Sequence, residues 1–150
     1  MSNPAIDIPN LLYRYAELFD AGEFDAVAAL FDHAHLVIAG HKITGREAIT
    51  GMWREFVITY DCGTPRTRHL VTNPHIDLSE DGTSAACRSQ WTVLQQTDGF
   101  PLQVIGSGRY SDEFVLADGA WRFASRDYSQ VDFWGDASKH LKTPPPKGGS

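Results

Sequence analysis

An α+β fold is predicted for this chain, with helices first and a long antiparallel meander after them. Two observations carry it. Helical periodicity is confined to about the first sixty residues, where apolar side chains recur three and four apart. From Thr67 onward the chain instead carries runs rich in β-branched and aromatic residues. Asp81-Gly82, Asp98-Gly99 and Asp118-Gly119 each join two of these runs, which is the strongest short-range hairpin signal.

Taken in order, Ile8, Leu11, Leu12, Tyr15, Leu18 and Phe19 lie on one helical face and give a first helix of about four turns. Gly22 reads as its C-terminal stop. Residues 24–31 suit a short second helix, with Val27, Leu30 and Phe31 inward. Residues 35–39 read as a strand and 40–45 as a turn. A third helix runs from Arg46 to about Tyr60, with Ile49, Met52, Trp53 and Phe56 on one side. Strands are expected over 67–72, 75–79, 83–96, 102–117 and 120–131. The domain is expected to span 1–137. From Ser138 the chain holds Pro144-Pro145-Pro146 and Gly148-Gly149 and is too poor in apolar residues to pack, so 138–150 is expected to be a mobile Pro/Gly-rich tail.

Composition excludes several function classes. At 150 residues, the chain can bury a core without staples. Its net charge of −6, with no basic stripe interleaved with aromatics, argues against nucleic acid. No apolar run approaches the length of a membrane span, and no basic segment followed by an apolar one opens the chain. A cytoplasmic protein is expected. Cys62 and Cys87 lack a C-x-x-C spacing and are expected to be free thiols.

His69 is the most informative residue. It lies in Arg66-Thr67-Arg68-His69-Leu70-Val71-Thr72-Asn73, and residues two apart on a strand share a face. Two arginines are costly to bury, so Arg66 and Arg68 take the wet face and His69 turns inward with Thr67 and Val71. An inward imidazole titrates near neutrality and needs a hydrogen-bond partner. Asp20, in the last turn of the first helix, opposes the macrodipole there and needs stabilisation of its own. On another strand, Trp91 shares a face with Ala85, Cys87, Ser89 and Val93. Small residues beside a large aromatic leave room for a ligand, or for a packed helix.

Other constellations are weaker. Asp32-His33-Ala34-His35, near His41, contains an H-x-H pair but no further ligand at motif spacing, so no metal is expected. Gly106-Ser107-Gly108 reads as a bend or bulge, not a phosphate loop. Arg126 and Asp127, near the end of the last strand, could reach a pocket or pair with each other, with surface pairing the default.

Three motifs, in this order of elements, resemble the SnoaL-like family of the nuclear transport factor two-like superfamily. They are residues 15–25, YAELFDAGEFD; residues 68–73, RHLVTN; and residues 108–112, GRYSD, followed by 118–123, DGAWRF. The resemblance covers about residues 6–134. It implies a cone-shaped α+β barrel, with the helices packed in a strongly curved antiparallel sheet over a deep pocket. It further implies that dehydratases, dehydrochlorinases, isomerases and polyketide cyclases are relatives, together with members that only bind. In scytalone dehydratase and hexachlorocyclohexane dehydrochlorinase, an Asp at the end of helix one and a strand His form the catalytic dyad. Asp20 and His69 match those positions. Scytalone dehydratase also uses a second histidine, and the corresponding strand here, Cys87-Arg88-Ser89-Gln90, has none.

The expected function is a cofactor-independent lyase or isomerase acting on a small apolar or aromatic molecule. His69 is the base, Asp20 its orienting partner, and Tyr15, Trp53 and Trp91 line the pocket, with Tyr15 a hydrogen-bond donor to a substrate oxygen. The alternative is a non-catalytic ligand-binding or protein-interaction module with the same pocket. A homodimer built on the sheet is expected, with a trimer second. Tyr110, Phe114 and Leu116 would share one face of their strand with Val104 and Gly108, while Trp121 and Phe123 alternate with Arg122. Val115, Tyr128 and Trp134 would then lie outside the cone and mark an interface.

Overall fold

In the computed structural model, which describes residues 1–145, Asn3 opens the first helix by accepting a bond from the Ala5 amide at 3.1 Å. That helix, α1, spans Pro4–Asp20 and buries Ile8, Leu12, Tyr15, Ala16 and Phe19. It ends as its sequence requires. Gly22 has a φ of 76° and donates to Phe19 O, while Glu23 donates to Leu18 O, the paired bonds of a Schellman stop. A Cβ at Gly22 would stand 2.1 Å from Gly63 O, so only glycine lets the 60–64 turn cross here.

Helices α2 (Phe24–Ala29) and α3 (Arg46–Phe56) complete the helical layer. Between them lie β1 (His35–Ile38) and β2 (His41–Thr44), paired antiparallel. The stretch expected to be only a turn is therefore a tight hairpin. The long strands are β3 (Thr67–Leu78), β4 (Ser84–Thr97), β5 (Phe100–Ala117) and β6 (Ala120–Asp127), and β7 (Val131–Trp134) returns beside β5. The curved sheet runs β2-β1-β6-β5-β4-β3, with β7 paired to β5 off this path. All pairs are antiparallel except β1 with β6. The three Asp-Gly dipeptides turn the hairpins β3–β4, β4–β5 and β5–β6, as expected.

Irregularities explain where strand boundaries and faces differ from expectation. The expected strands 67–72 and 75–79 are one strand with a register shift between Thr72 and His75, where Asn73 takes a φ of 55°. In β5, Val93 pairs with Gly106 but Leu94 with Val104, so Ile105 is the extra residue of a bulge. Ile105 is thereby buried, and Val104 is turned out to 50% exposure instead of joining the face of Tyr110 and Phe114. Tyr128 and Trp134, expected outside, line the interior cavity.

Residues 137–142 pack against the body. Gln95 Nε2 donates to Lys139 O at 2.9 Å, Tyr60 Oη donates to the same carbonyl, and the Ile58 amide donates to His140 O at 2.8 Å. Leu141 bridges to Val57. Long-range bonds from Gln95, Tyr60 and Ile58 hold a segment whose composition alone would not. The rest of the expected tail lies largely outside the described residues. Among the described residues, no helix is long and apolar enough to cross a membrane.

Candidate functional site

Helix α1 and strand β3 meet at Asp20. Its Oδ1 accepts from Thr67 Oγ1 at 2.9 Å and lies 2.6 Å from His69 Nδ1, while Oδ2 accepts from the His69 amide at 2.7 Å. Three donors offset the unfavourable position of a carboxylate at a helix C-terminus. Strand parity supplies two of them, because Thr67 and His69 share the inward face while Arg68 is exposed. With Asp20 ionised, the ring contact requires a proton on Nδ1. The neutral His69 ring then keeps its lone pair on Nε2.

The His69 ring stands edge-on to Phe19, with centroids 5.0 Å apart. It also lines a cavity of about 360 Å³, a size suited to a small ligand. Phe19, Trp53, Trp91, Val93, Ile105, Tyr110, Tyr128 and Trp134 make the walls chiefly aromatic and apolar. Tyr15, Trp53 and Trp91 are among the residues around this cavity. Tyr15 stacks edgewise on Trp53 and Tyr110 at 6.2 and 6.0 Å. Burial pushes its hydroxyl up to about 12, so it remains a neutral donor. Burial likewise raises Tyr110 and Tyr128 well above the ordinary value.

Gly106 and Gly108 shape the cavity wall. A Cβ at Gly108 would meet Gln130 O at 2.4 Å and the Trp91 ring at 2.6 Å; at Gly106 it would press on both Trp134 and Trp91 at 3.3–3.4 Å. Bare backbone here lets two indoles and β7 approach β5 closely.

Two features were missed from the sequence. Arg126 does not pair with Asp127 at the surface. It is fully buried and makes a two-pronged bond to Asp112, both contacts 2.8 Å. Its guanidinium lies 4.3 Å from the Tyr15 ring centroid and 3.6 Å from that of Tyr110, behind the cavity wall. Burial pushes the Asp112 carboxyl up and Arg126 pulls it back, while Asp112 overrides burial to hold Arg126 above its ordinary value. The second is His140, on the segment expected to be mobile. It lines the cavity, contacts Phe19 edgewise at 6.3 Å, and is held down to about 3 by burial first and then by His69.

The weaker constellations resolve locally. Asp32 pairs with Arg46. Cys62 and Cys87 are free, the latter buried and its thiol pushed up to about 11 by burial.

A family model described as a SnoaL-like domain matches residues 6–127. This chain belongs to the SnoaL-like family. Among solved structures, the SnoaL-like chain is 26% identical to the Mycobacterium tuberculosis protein Rv3472, a protein of unknown function, over 86% of this chain and 72% of that one, with a TM-score of 0.69. It is 25% identical to a candidate scytalone dehydratase from Novosphingobium aromaticivorans, over 84% and 83% of the two chains, with a TM-score of 0.65. Against ActVI-ORFA from Streptomyces coelicolor the identity is 20% over 85% and 98%, with a TM-score of 0.68, a likeness of fold. Comparison with curated protein sequences finds no match.

Proposed function

We propose that this SnoaL-like protein is a cofactor-independent lyase or isomerase acting on a small, largely apolar or aromatic molecule. His69 is the general base and Asp20 its orienting partner. The observation that carries this reading is the 2.6 Å contact of His69 Nδ1 with Asp20 on the wall of an aromatic cavity. The partner carboxylate holds Nδ1–H and stabilises the imidazolium, leaving Nε2 to accept a proton. That proton comes from a carbon next to a carbonyl or a leaving group. The C–H electron pair becomes a new π bond or an enolate. In elimination the leaving group departs with its own pair; in isomerisation His69 returns the proton to a different carbon. Similarity to a candidate scytalone dehydratase supports the elimination branch.

The reading is tested with a panel of β-hydroxy ketones fused to a planar ring, whose dehydration extends conjugation and is followed by absorbance. Turnover by wild type, lowered about 10²–10⁴-fold in His69→Gln, is expected. No turnover, or equal turnover by the variant, would leave a binding module.

We also propose a homodimer formed through the outer face of the sheet. Leu70, Leu102, Val104 and Phe133 are 42%, 65%, 50% and 73% exposed there. The pairings Leu70–Thr92, Thr92–Ser107 and Ser107–Phe133 set Leu70 and Phe133 on one row across β3, β4, β5 and β7.

A further inference from the structure

On the cavity wall, Asp20 satisfies the Nδ1 of His69. His140 also lines the wall, and its Nδ1 is buried with no hydrogen-bond partner among the described residues, as is the Trp91 Nε1. The residue is 9% exposed, and its backbone is tied on both sides, by Ile58 to its carbonyl and by Ala137 to its amide. A rigidly held imidazole without a partner is an unmet hydrogen-bonding group on a chiefly apolar and aromatic wall.

The ring's surroundings define what it can offer. No carboxylate bonds it, in contrast to His69, and Asp20 and His69 act on it only through space. A neutral imidazole carries one N–H donor and one acceptor; with Nδ1 buried, Nε2 is the nitrogen left to meet a ligand. Both histidines contact the same ring, Phe19, with centroids 5.0 and 6.3 Å away. They are therefore two groups beside one aromatic side chain, lining one cavity.

We propose that His140 is the oxygen-holding group of this site, donating an imidazole N–H to the carbonyl or hydroxyl oxygen of a planar aromatic ligand. This deepens the assignment of His69 as base. As His69 removes a proton from carbon, negative charge grows on the neighbouring oxygen, and a fixed neutral donor stabilises it there.

Binding of 2-naphthol and of naphthalene, read by quenching of the indoles Trp53, Trp91 and Trp134, tests the proposal without any turnover. His140→Phe keeps the ring's bulk and removes its nitrogens. It is expected to weaken 2-naphthol about tenfold and naphthalene by less than about twofold. In the wild-type protein, the ¹⁵N resonances of the His140 ring are expected to move on saturation with 2-naphthol and to stay put with naphthalene. Equal weakening of both probes, an unchanged 2-naphthol affinity, no preference of wild type for 2-naphthol, or unmoved ring nitrogens would each overturn the proposal. None of these outcomes bears on His69 as base, which stands or falls on its own turnover assay.

Discussion

Asp20 holds His69 twice, by the ring through Oδ1 and by the backbone through Oδ2. The same carboxylate therefore fixes the tautomer of the histidine and the register of the strand that carries it. A carboxylate at a helix end is thus also the clamp between α1 and β3.

Removing that clamp has a structural cost distinct from any catalytic one. Asp20→Ala strands the hydroxyl of Thr67 and the amide and ring N–H of His69. It is expected to lower stability by about 2 kcal/mol, measured by urea denaturation. A loss below about 0.5 kcal/mol would show that the clamp is not structural.

The buried pair behind the cavity makes a second prediction. Arg126→Met alone leaves Asp112 as an uncompensated buried charge and is expected to cost about 3–5 kcal/mol. The double variant Arg126→Met with Asp112→Leu is expected to recover most of that loss. Additive losses in the double-mutant cycle would contradict the pairing.

His140 predicts a pH dependence. Its folded-state value is held down to about 3, below the ordinary 6.5, by burial and by His69, with Asp20 opposing. Below about pH 6.5 the unfolded chain takes up a proton that the folded one refuses, so this contribution to stability falls as pH falls, down to about 3. Between pH 7 and 5 it amounts to about 2 kcal/mol. Denaturation at the two pH values should show a loss smaller by about that amount in His140→Leu than in wild type.

Gly108→Ala is expected to destabilise by about 1–3 kcal/mol, since the added methyl meets Gln130 O and the Trp91 ring. Displacement of the indole should also shift the tryptophan emission. An unchanged spectrum with full stability would mean that β7 moves away freely.

For the dimer, light scattering is expected to give twice the 16.6 kDa chain mass, and Phe133→Lys to return it toward one chain. A wild-type mass near 16.6 kDa would contradict it.

Much of this was legible in the sequence, for physical reasons that also mark where legibility ends. The Asp-Gly turns fix hairpins because few other dipeptides tolerate the backbone they need. Alternation on β3 turns His69 inward because Arg68 cannot be buried alone. Bulges defeat the same arithmetic. Counting back from Asp118-Gly119 places Asp112 opposite Ser125, but the register shift after Phe114 sets it opposite Arg126. Nothing local marks that extra residue, so the buried pair was hidden. His140 was hidden differently. Its segment is poor in apolar residues and is held by Gln95 and Tyr60, which lie some 44 and 79 positions away.

Proton removal from carbon by His69, backed by Asp20 inside the aromatic cavity, is read by hydrogen–deuterium exchange. The exchange of the C1 protons of 2-tetralone for deuterium is followed by ¹H NMR in D₂O. Wild type is expected to exceed free imidazole at equal concentration by at least about 10²-fold, with His69→Gln falling to the free-imidazole rate and Asp20→Asn between them. A wild-type rate no greater than that of imidazole, or one unaffected by His69→Gln, would mean that His69 is not the base.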